Sequence, residues 1–217
     1  MLFRSACSSR VAAGRALLAA HPQCNVLISD DGLQHYALKR DVELVVFDGD
    51  RGCGNGMLLP AGPLREPVTR LTEVDAIVIN GGTVFPHEML PAQVPAFDMQ
   101  LGGDAFYALQ EPGQTVAAAH FSGAPAHAVA GIGNPQRFFN HLHELGIAFT
   151  PHAFPDHHDY TAGDLAFTPA GTVIMTEKDA VKCERFARSG DRWWALRIDA
   201  SIEDALGERV LNGIERR

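Results

Sequence analysis

Val26-Leu27-Ile28-Ser29-Asp30-Asp31-Gly32-Leu33-Gln34-His35-Tyr36 and, a little further on, Leu44-Val45-Val46-Phe47-Asp48 are the segments whose reading decides the fold. Each is an apolar run that ends in acid. Unbroken apolar runs of this length are the pattern of strands covered on both faces of a parallel sheet. A carboxylate at the C-terminal end of such a strand faces the crevice where open α/β sheets hold their ligands. A loop rich in glycine, proline and arginine follows: Arg51-Gly52-Cys53-Gly54-Asn55-Gly56, then Leu59-Pro60-Ala61-Gly62-Pro63-Leu64-Arg65-Glu66-Pro67.

Outward from this stretch, the alanine-rich residues 11–20 predict a helix that His21-Pro22 ends. Strands are expected over residues 24–29, 43–47 and 76–79, the last stopped by Asn80-Gly81-Gly82. From Pro91 the pattern changes to two short alternating segments, residues 96–101 and 105–109, joined through Gly102-Gly103-Asp104, which reads as a hairpin with one wet face. A second unit starts near Ala119. It has a strand over 126–130, then Gly131-Ile132-Gly133-Asn134-Pro135, with Asn134 as N-cap and Pro135 opening a helix to Leu145. Strands over 147–153, 172–175 and 193–198 and a helix over 179–186 complete it. The expected class is α/β: a mostly parallel sheet in residues 1–93, a β-ribbon connector in 94–118, and a second, smaller α/β domain in 119–217.

Composition narrows the function. With 217 residues, 46% hydrophobic and 20% charged, the chain has the make-up of a globular protein. A net charge of −8 without a basic block argues against a nucleic-acid partner. Cysteines at 7, 24, 53 and 183 have neither disulfide nor zinc spacing and read as reduced thiols. No apolar run is long enough to span a bilayer. Residues 1–10 hold Arg and Ser but no acid, a composition shared with organelle-targeting peptides. The preferred expectation is that the chain begins partway through a larger protein.

Taken singly, each polar cluster has two readings. Asp30-Asp31 fits a carboxylate pair holding Mg²⁺, or a solvated turn. Arg51 and Arg65 fit bidentate clamps on phosphate oxygens, although Glu66 is also an ordinary ion-pair partner for Arg65. Gly131 to Pro135 fits an anion site at a helix N-terminus or a well-capped turn. Asp156-His157-His158-Asp159 fits a proton relay or a set of surface side chains, and its spacing is poor for zinc. Thr176-Glu177-Lys178-Asp179 fits a capping pair with a solvated Lys178, or a lysine that faces phosphate.

Together and in this order the clusters resemble the tetraacyldisaccharide 4'-kinase family. The resemblance rests on Ser29 to Tyr36, Arg51-Gly52 with Gly54-Asn55-Gly56, and Leu59 to Pro67. It extends through Gly131 to Pro135 with Arg137-Phe138-Phe139, Phe154-Pro155-Asp156-His157-His158, and Met175 to Lys182, covering roughly residues 11–200. It implies a P-loop-kinase-like core with a smaller C-terminal α/β domain joined by a β-ribbon. It implies transfer of the ATP γ-phosphate, with magnesium (Mg²⁺), to the 4'-hydroxyl of a tetraacylated glucosamine disaccharide 1-phosphate. The implied location is peripheral, on the cytoplasmic face of the bacterial inner membrane. On this reading Asp30 and Asp31 lie at the metal, and Asp31, Arg65 and His157 serve catalysis. Gln34, His35, Arg51, Glu66 and Lys178 bind nucleotide or substrate.

Two departures bear on activity. The family's Gly-rich loop ending Gly-Lys-Thr has no counterpart, for no G-x-x-x-x-G-K-[ST] occurs in the chain. Cys53 stands where the family usually has an aromatic residue. The expectation is a chain with little kinase activity by itself. The competing readings are a non-catalytic module that binds the acyl-disaccharide, and a metal-dependent hydrolase built on Asp30, Asp31, His157 and His158.

Overall fold

The computed structural model describes residues 9–81 and 90–215, so residues 1–8 of the acid-free start, and Gly82, lie outside the described residues. The chain forms two compact units, residues 1–99 with 202–217, and residues 100–201. The C-terminal segment thus returns to the first unit, whereas the sequence division kept all of 119–217 in the second domain.

In unit 1, helix α1 (Arg10–Ala20) is capped by Ser9, whose Oγ accepts the Ala12 N–H at 3.3 Å. Strands β1 (Leu44–Asp48), β2 (Ala76–Asn80) and β3 (Ala96–Gly102) run parallel in a sheet of order β1-β2-β3-β10, with β10 at Asp199–Ile202. Only β2 is buried on both faces. Ile77 and Ile79 point into one layer with Leu71, Val74 and Val94. Ala76 and Val78 point into the other, against Leu206 of helix α4 (Asp204–Glu215). Full burial of each isoleucine contributes about 1.5–3 kcal/mol. By contrast β1 alternates exposed and half-buried residues, as an edge strand does.

Two expectations fail here. Residues 24–29 form no strand: Val26, Leu27 and Ile28 are 49%, 45% and 88% exposed. An apolar run becomes a strand only where a neighbour takes its backbone hydrogen bonds, and among the described residues none does. The segments at 96–101 and 105–109 are both strands but not a hairpin. Strand β3 lies parallel to β2, whereas β4 (Ala105–Ala108) pairs antiparallel with β5 (Thr115–Ala117) and β9 (Trp193–Leu196).

Unit 2 holds a six-stranded sheet of order β5-β4-β9-β8-β6-β7. Strands β6 (Ala126–Ala130), β7 (Thr150–Ala153), β8 (Thr172–Thr176) and β9 are parallel. From β6 the chain steps outward to β7 and then crosses back to β8 on the other side of β6. In open α/β sheets ligands bind beyond the carboxyl ends of the strands at such a reversal. Helix α2 (Pro135–Glu144) covers one face with Phe138, Phe139 and Leu142. Helix α3 (Glu177–Cys183) covers the other with Ala180 and Cys183. The buried His127 is satisfied between the Pro169 carbonyl, 2.9 Å from Nε2, and His152 Nε2, 3.0 Å from Nδ1.

Candidate active site

The expected site residues divide between the units. Asp30, Asp31, Gln34, His35, Arg51, Arg65 and Glu66 belong to unit 1, His157 and Lys178 to unit 2.

In unit 1 the acidic pair sits in a turn rather than at a strand end, since residues 24–29 are not a strand. Asp31 takes φ +49°, a backbone state that Asp tolerates better than most residues. Its carboxylate is 73% exposed and lies 3.6 Å from the Arg65 guanidinium. Arg10 donates to the Asp30 carbonyl and, at 2.9 Å, to Ser29 Oγ, fixing the approach to the turn. Arg65 also reaches Gln34 Oε1 at 3.5 Å. Gln34 in turn donates to Glu66 Oε1 at 2.9 Å, and the Tyr36 hydroxyl donates to Glu66 Oε2 at 2.5 Å. Asp31, Gln34, Arg65 and Glu66 thus share the wall of an open hollow of about 330 Å³, floored by residues of β1.

Behind this wall lies a network that sequence reasoning missed. Arg70 is 12% exposed and bonds Glu43 at 2.7 Å, with Glu66 at 3.4 Å and Glu73 at 3.5 Å. Arg40 also bonds Glu43 and the Leu33 carbonyl, the latter at 2.9 Å. The Tyr36 hydrogen bond above all, then Gln34, Arg70 and Arg40, holds the Glu66 carboxyl below its ordinary range despite partial burial. Glu66 is therefore a fixed, ionised acceptor. Arg70 lies on the 3₁₀ turn Val68–Glu73, four residues after Glu66, and that spacing was the available clue.

The other candidates of unit 1 stand apart from the hollow. His35 is not among the residues lining it, and its N–H closes a turn onto the Gly32 carbonyl at 2.9 Å. Arg51 is exposed, in a turn that Asp48 Oδ1 caps by accepting the N–H groups of Asp50 and Arg51 at 3.0 and 3.3 Å. The second strand-end carboxylate, Asp48, is thus occupied with its own loop. That loop is close-packed: a Cβ on Gly62 would stand 2.3 Å from the Met57 carbonyl oxygen, and Asn55 ties it by donating to the Ala61 carbonyl at 2.9 Å.

In unit 2 the motifs follow the carboxyl ends of the parallel strands β6, β7 and β8. Asn134 caps α2, accepting the Arg137 N–H at 3.4 Å. His157 takes φ +60° and is 78% exposed, with its N–H donated to Asp156 Oδ1 at 3.0 Å and its Nε2 3.8 Å from Asp156 Oδ2. His158 is occupied instead: its ring lies 3.4 Å from Asp164, which forms a capping box with Thr161. Of the two histidines, His157 is the one available to solvent. Lys178 is exposed on the first turn of α3. Thr176 and Asp179 form the expected capping pair, and the Asp179 side chain, whose burial the sequence did not show, is completely buried.

Asp30 and Asp31 offer exposed hard oxygens, a donor set suited to Mg²⁺, which binds one or two carboxylates and keeps water or phosphate as its other ligands. No three His, Cys, Asp or Glu side chains gather around one centre among the described residues, so the hydrolase reading finds no metal centre there. No helix of the described residues is long and apolar enough to cross a membrane.

The model of the LpxK family, tetraacyldisaccharide-1-P 4'-kinase, matches residues 5–215. The tetraacyldisaccharide 4'-kinase of Methylobacillus flagellatus is 50% identical over 207 residues, covering 95% of this chain and 59% of the relative. That of Dechloromonas aromatica is 49% identical over 209 residues, covering 96% and 61%. The chain therefore spans about three-fifths of the length of these relatives. The crystal structure of the "apo" form of LpxK from Aquifex aeolicus in complex with ATP superposes with a TM-score of 0.71 at 25% identity, over 94% of this chain and 62% of that one. The fold is that of this kinase, and the chain belongs to the tetraacyldisaccharide 4'-kinase family.

Proposed function

We propose that this chain supplies part of the active site of a lipid A 4'-kinase. The reaction moves the ATP γ-phosphate onto the 4'-hydroxyl of a tetraacylated glucosamine disaccharide 1-phosphate, at the cytoplasmic face of the inner membrane. The supporting observation is the hollow of unit 1, where Asp31, Arg65, Gln34 and Glu66 converge in a chain of this family. Phosphoryl transfer asks little covalent chemistry of a protein and depends on positioning and charge. The Arg65 guanidinium offers paired donors to phosphate oxygens. Gln34 and Tyr36 hold Glu66 as a fixed acceptor for a hydroxyl or an ammonium group. Asp30 and Asp31 would hold Mg²⁺, which when bound neutralises phosphate charge. His157, exposed and backed by Asp156, takes part in moving the proton from the acceptor hydroxyl as its oxygen bonds to phosphorus and the bond to ADP breaks. Lys178, and less directly Arg51 and His35, are assigned to substrate contact.

A chimera tests this reading: the 217 residues replace the matching segment of the Methylobacillus flagellatus kinase, and ATP-dependent phosphorylation of the tetraacylated acceptor is measured. Robust turnover, cut at least tenfold by Asp31→Asn or His157→Ala, is expected. A folded chimera without turnover, or one indifferent to both changes, refutes it. The 217 residues alone, with no G-x-x-x-x-G-K-[ST], are expected to give little turnover.

A further inference from the structure

Three motifs of unit 2 meet at one buried acid. The Asp179 carboxylate is completely buried, and its Oδ2 accepts the Gly131 N–H at 3.0 Å and the Thr176 hydroxyl at 2.7 Å. The Asp179 N–H is returned to Thr176 Oγ1 at 3.2 Å. Capping α3 needs only Thr176, so the reach to Gly131 does something else: it ties the end of β6 to the start of α3. Two buried polar atoms beside this link have no hydrogen-bond partner, Asp179 Oδ1 and the Tyr160 hydroxyl. Both border Gly131, where a Cβ would stand 2.6 Å from the Tyr160 oxygen and 3.1 Å from Asp179 Oδ1. The charge nearest Oδ1 in this cluster is Lys182, whose Nζ lies 3.7 Å away. Burial, and then the Asp179 charge, push the Tyr160 phenol up, so it keeps its proton. Burying a carboxylate against a phenol in the interior is costly, and such groups persist where the geometry they impose is used.

That geometry leads to His157. Phe154 donates its N–H to the Ala130 carbonyl at 2.8 Å, which joins the exit of β7 to the residue before Gly131. A Cβ on Gly133 would lie 3.6 Å from Asp156 Oδ2, so the Gly131–Asn134 loop forms one side of the turn. The Tyr160 ring packs edge-on against Phe154 at 5.1 Å and His158 at 4.8 Å between centroids, the residues on either side of 155–157. A histidine at φ +60° keeps that conformation only where its surroundings hold it.

We propose that Asp179, acting with Tyr160, is a positioning residue for the Asp156–His157 turn, holding it through the Gly131 loop and the Tyr160 ring. The inference rests on reading His157 as a proton-handling group of the reaction, but its test needs no turnover. In the 217-residue chain, the backbone amide resonances of Asp156, His157 and Gly131 are compared in wild type, Asp179→Asn and Tyr160→Phe, along with their hydrogen-exchange rates. With the charge-assisted bond weakened, Gly131 exchange should rise about tenfold or more. The Asp156 and His157 amides should shift, while those of His120 and His143 on other elements stay in place. A general loosening of the fold would move all of them together. If Asp179→Asn does not fold, Tyr160→Leu, which removes the ring, is decisive, and it should shift the same two amides. Folded variants that leave Asp156 and His157 at their wild-type positions overturn the proposal, as does a uniform change across the unit. An inactive chimera with shifted amides would overturn the kinase reading and leave the positioning role standing.

Discussion

Replacing Arg70 by methionine removes the guanidinium from the network behind the hollow of unit 1 while keeping an apolar stem of similar reach. The three ion pairs it loses are unequal. Glu73 is 70% exposed, so its pair contributes about 0–1 kcal/mol. Glu43 is 12% exposed and bonded at 2.7 Å, a charge-assisted contact of about 1.5–3 kcal/mol, yet it keeps Arg40 as a second cation. Glu66 keeps Tyr36 and Gln34. The full cost of stranding a buried charge, about 3–5 kcal/mol, is therefore not reached, and a loss of about 2–3 kcal/mol is expected. Urea denaturation followed by far-ultraviolet circular dichroism measures it. At a slope of about 1–3 kcal/mol per molar, the midpoint of the unit 1 transition should fall by about 1 M. Both tryptophans, Trp193 and Trp194, are in unit 2, so their fluorescence is a separate reporter in the same samples. A change below about 0.5 kcal/mol would falsify the network account, and so would a shift confined to the tryptophan signal.

Three further outcomes follow from other contacts. Because the folded-state pKa of Glu66 is lowered, its stabilisation is complete above the ordinary glutamate value near 4.5 and is lost as pH falls through the folded value. Glu66→Gln should therefore flatten the acid side of the thermal-stability profile, and an unchanged acid slope would count against the assignment. Leu142→Ala opens a cavity beneath α2, where the side chain is fully buried, and should cost about 2–5 kcal/mol in the tryptophan-detected transition; under about 1 kcal/mol would contradict the packing. Burial pushes the Cys183 thiol up to about 12 and raises that of Cys53, so among the described cysteines a thiol reagent should label the half-exposed Cys24 first and reach Cys183 only on unfolding. Rapid native labelling of Cys183 would refute this.

Local chemistry was most legible where local interactions decide the outcome. Asn134-Pro135 opens α2, Thr176 opens α3, and β2, β6 and β8 are the continuous apolar runs that a doubly covered sheet requires. Failures came where a distant partner decides. Residues 26–28 have the composition of a strand but pair with no strand among the described residues, and residues 96–101 pair with β2 rather than with the segment next in sequence. The helix α4 went unread because Leu206 and Val210 have meaning only against Ala76 and Val78, some 130 residues earlier. In the hollow, Asp31, Gln34, Arg65 and Glu66 were named through the order of the motifs, whereas Asp30 and Arg51 do not line it. The roles of Arg70 and Asp179 depend on burial, which the neighbouring charges in sequence disguise.

The alternating exposure of β1 has a practical consequence. It borders its sheet with one row of amides and carbonyls facing outward, and Leu44 and Val46 are 39% and 60% exposed beside it. Such a border is a template for strand addition from another molecule. Association should grow with protein concentration and begin at this strand, so a lysine at position 46 is the first change to make when preparing the chain for spectroscopy.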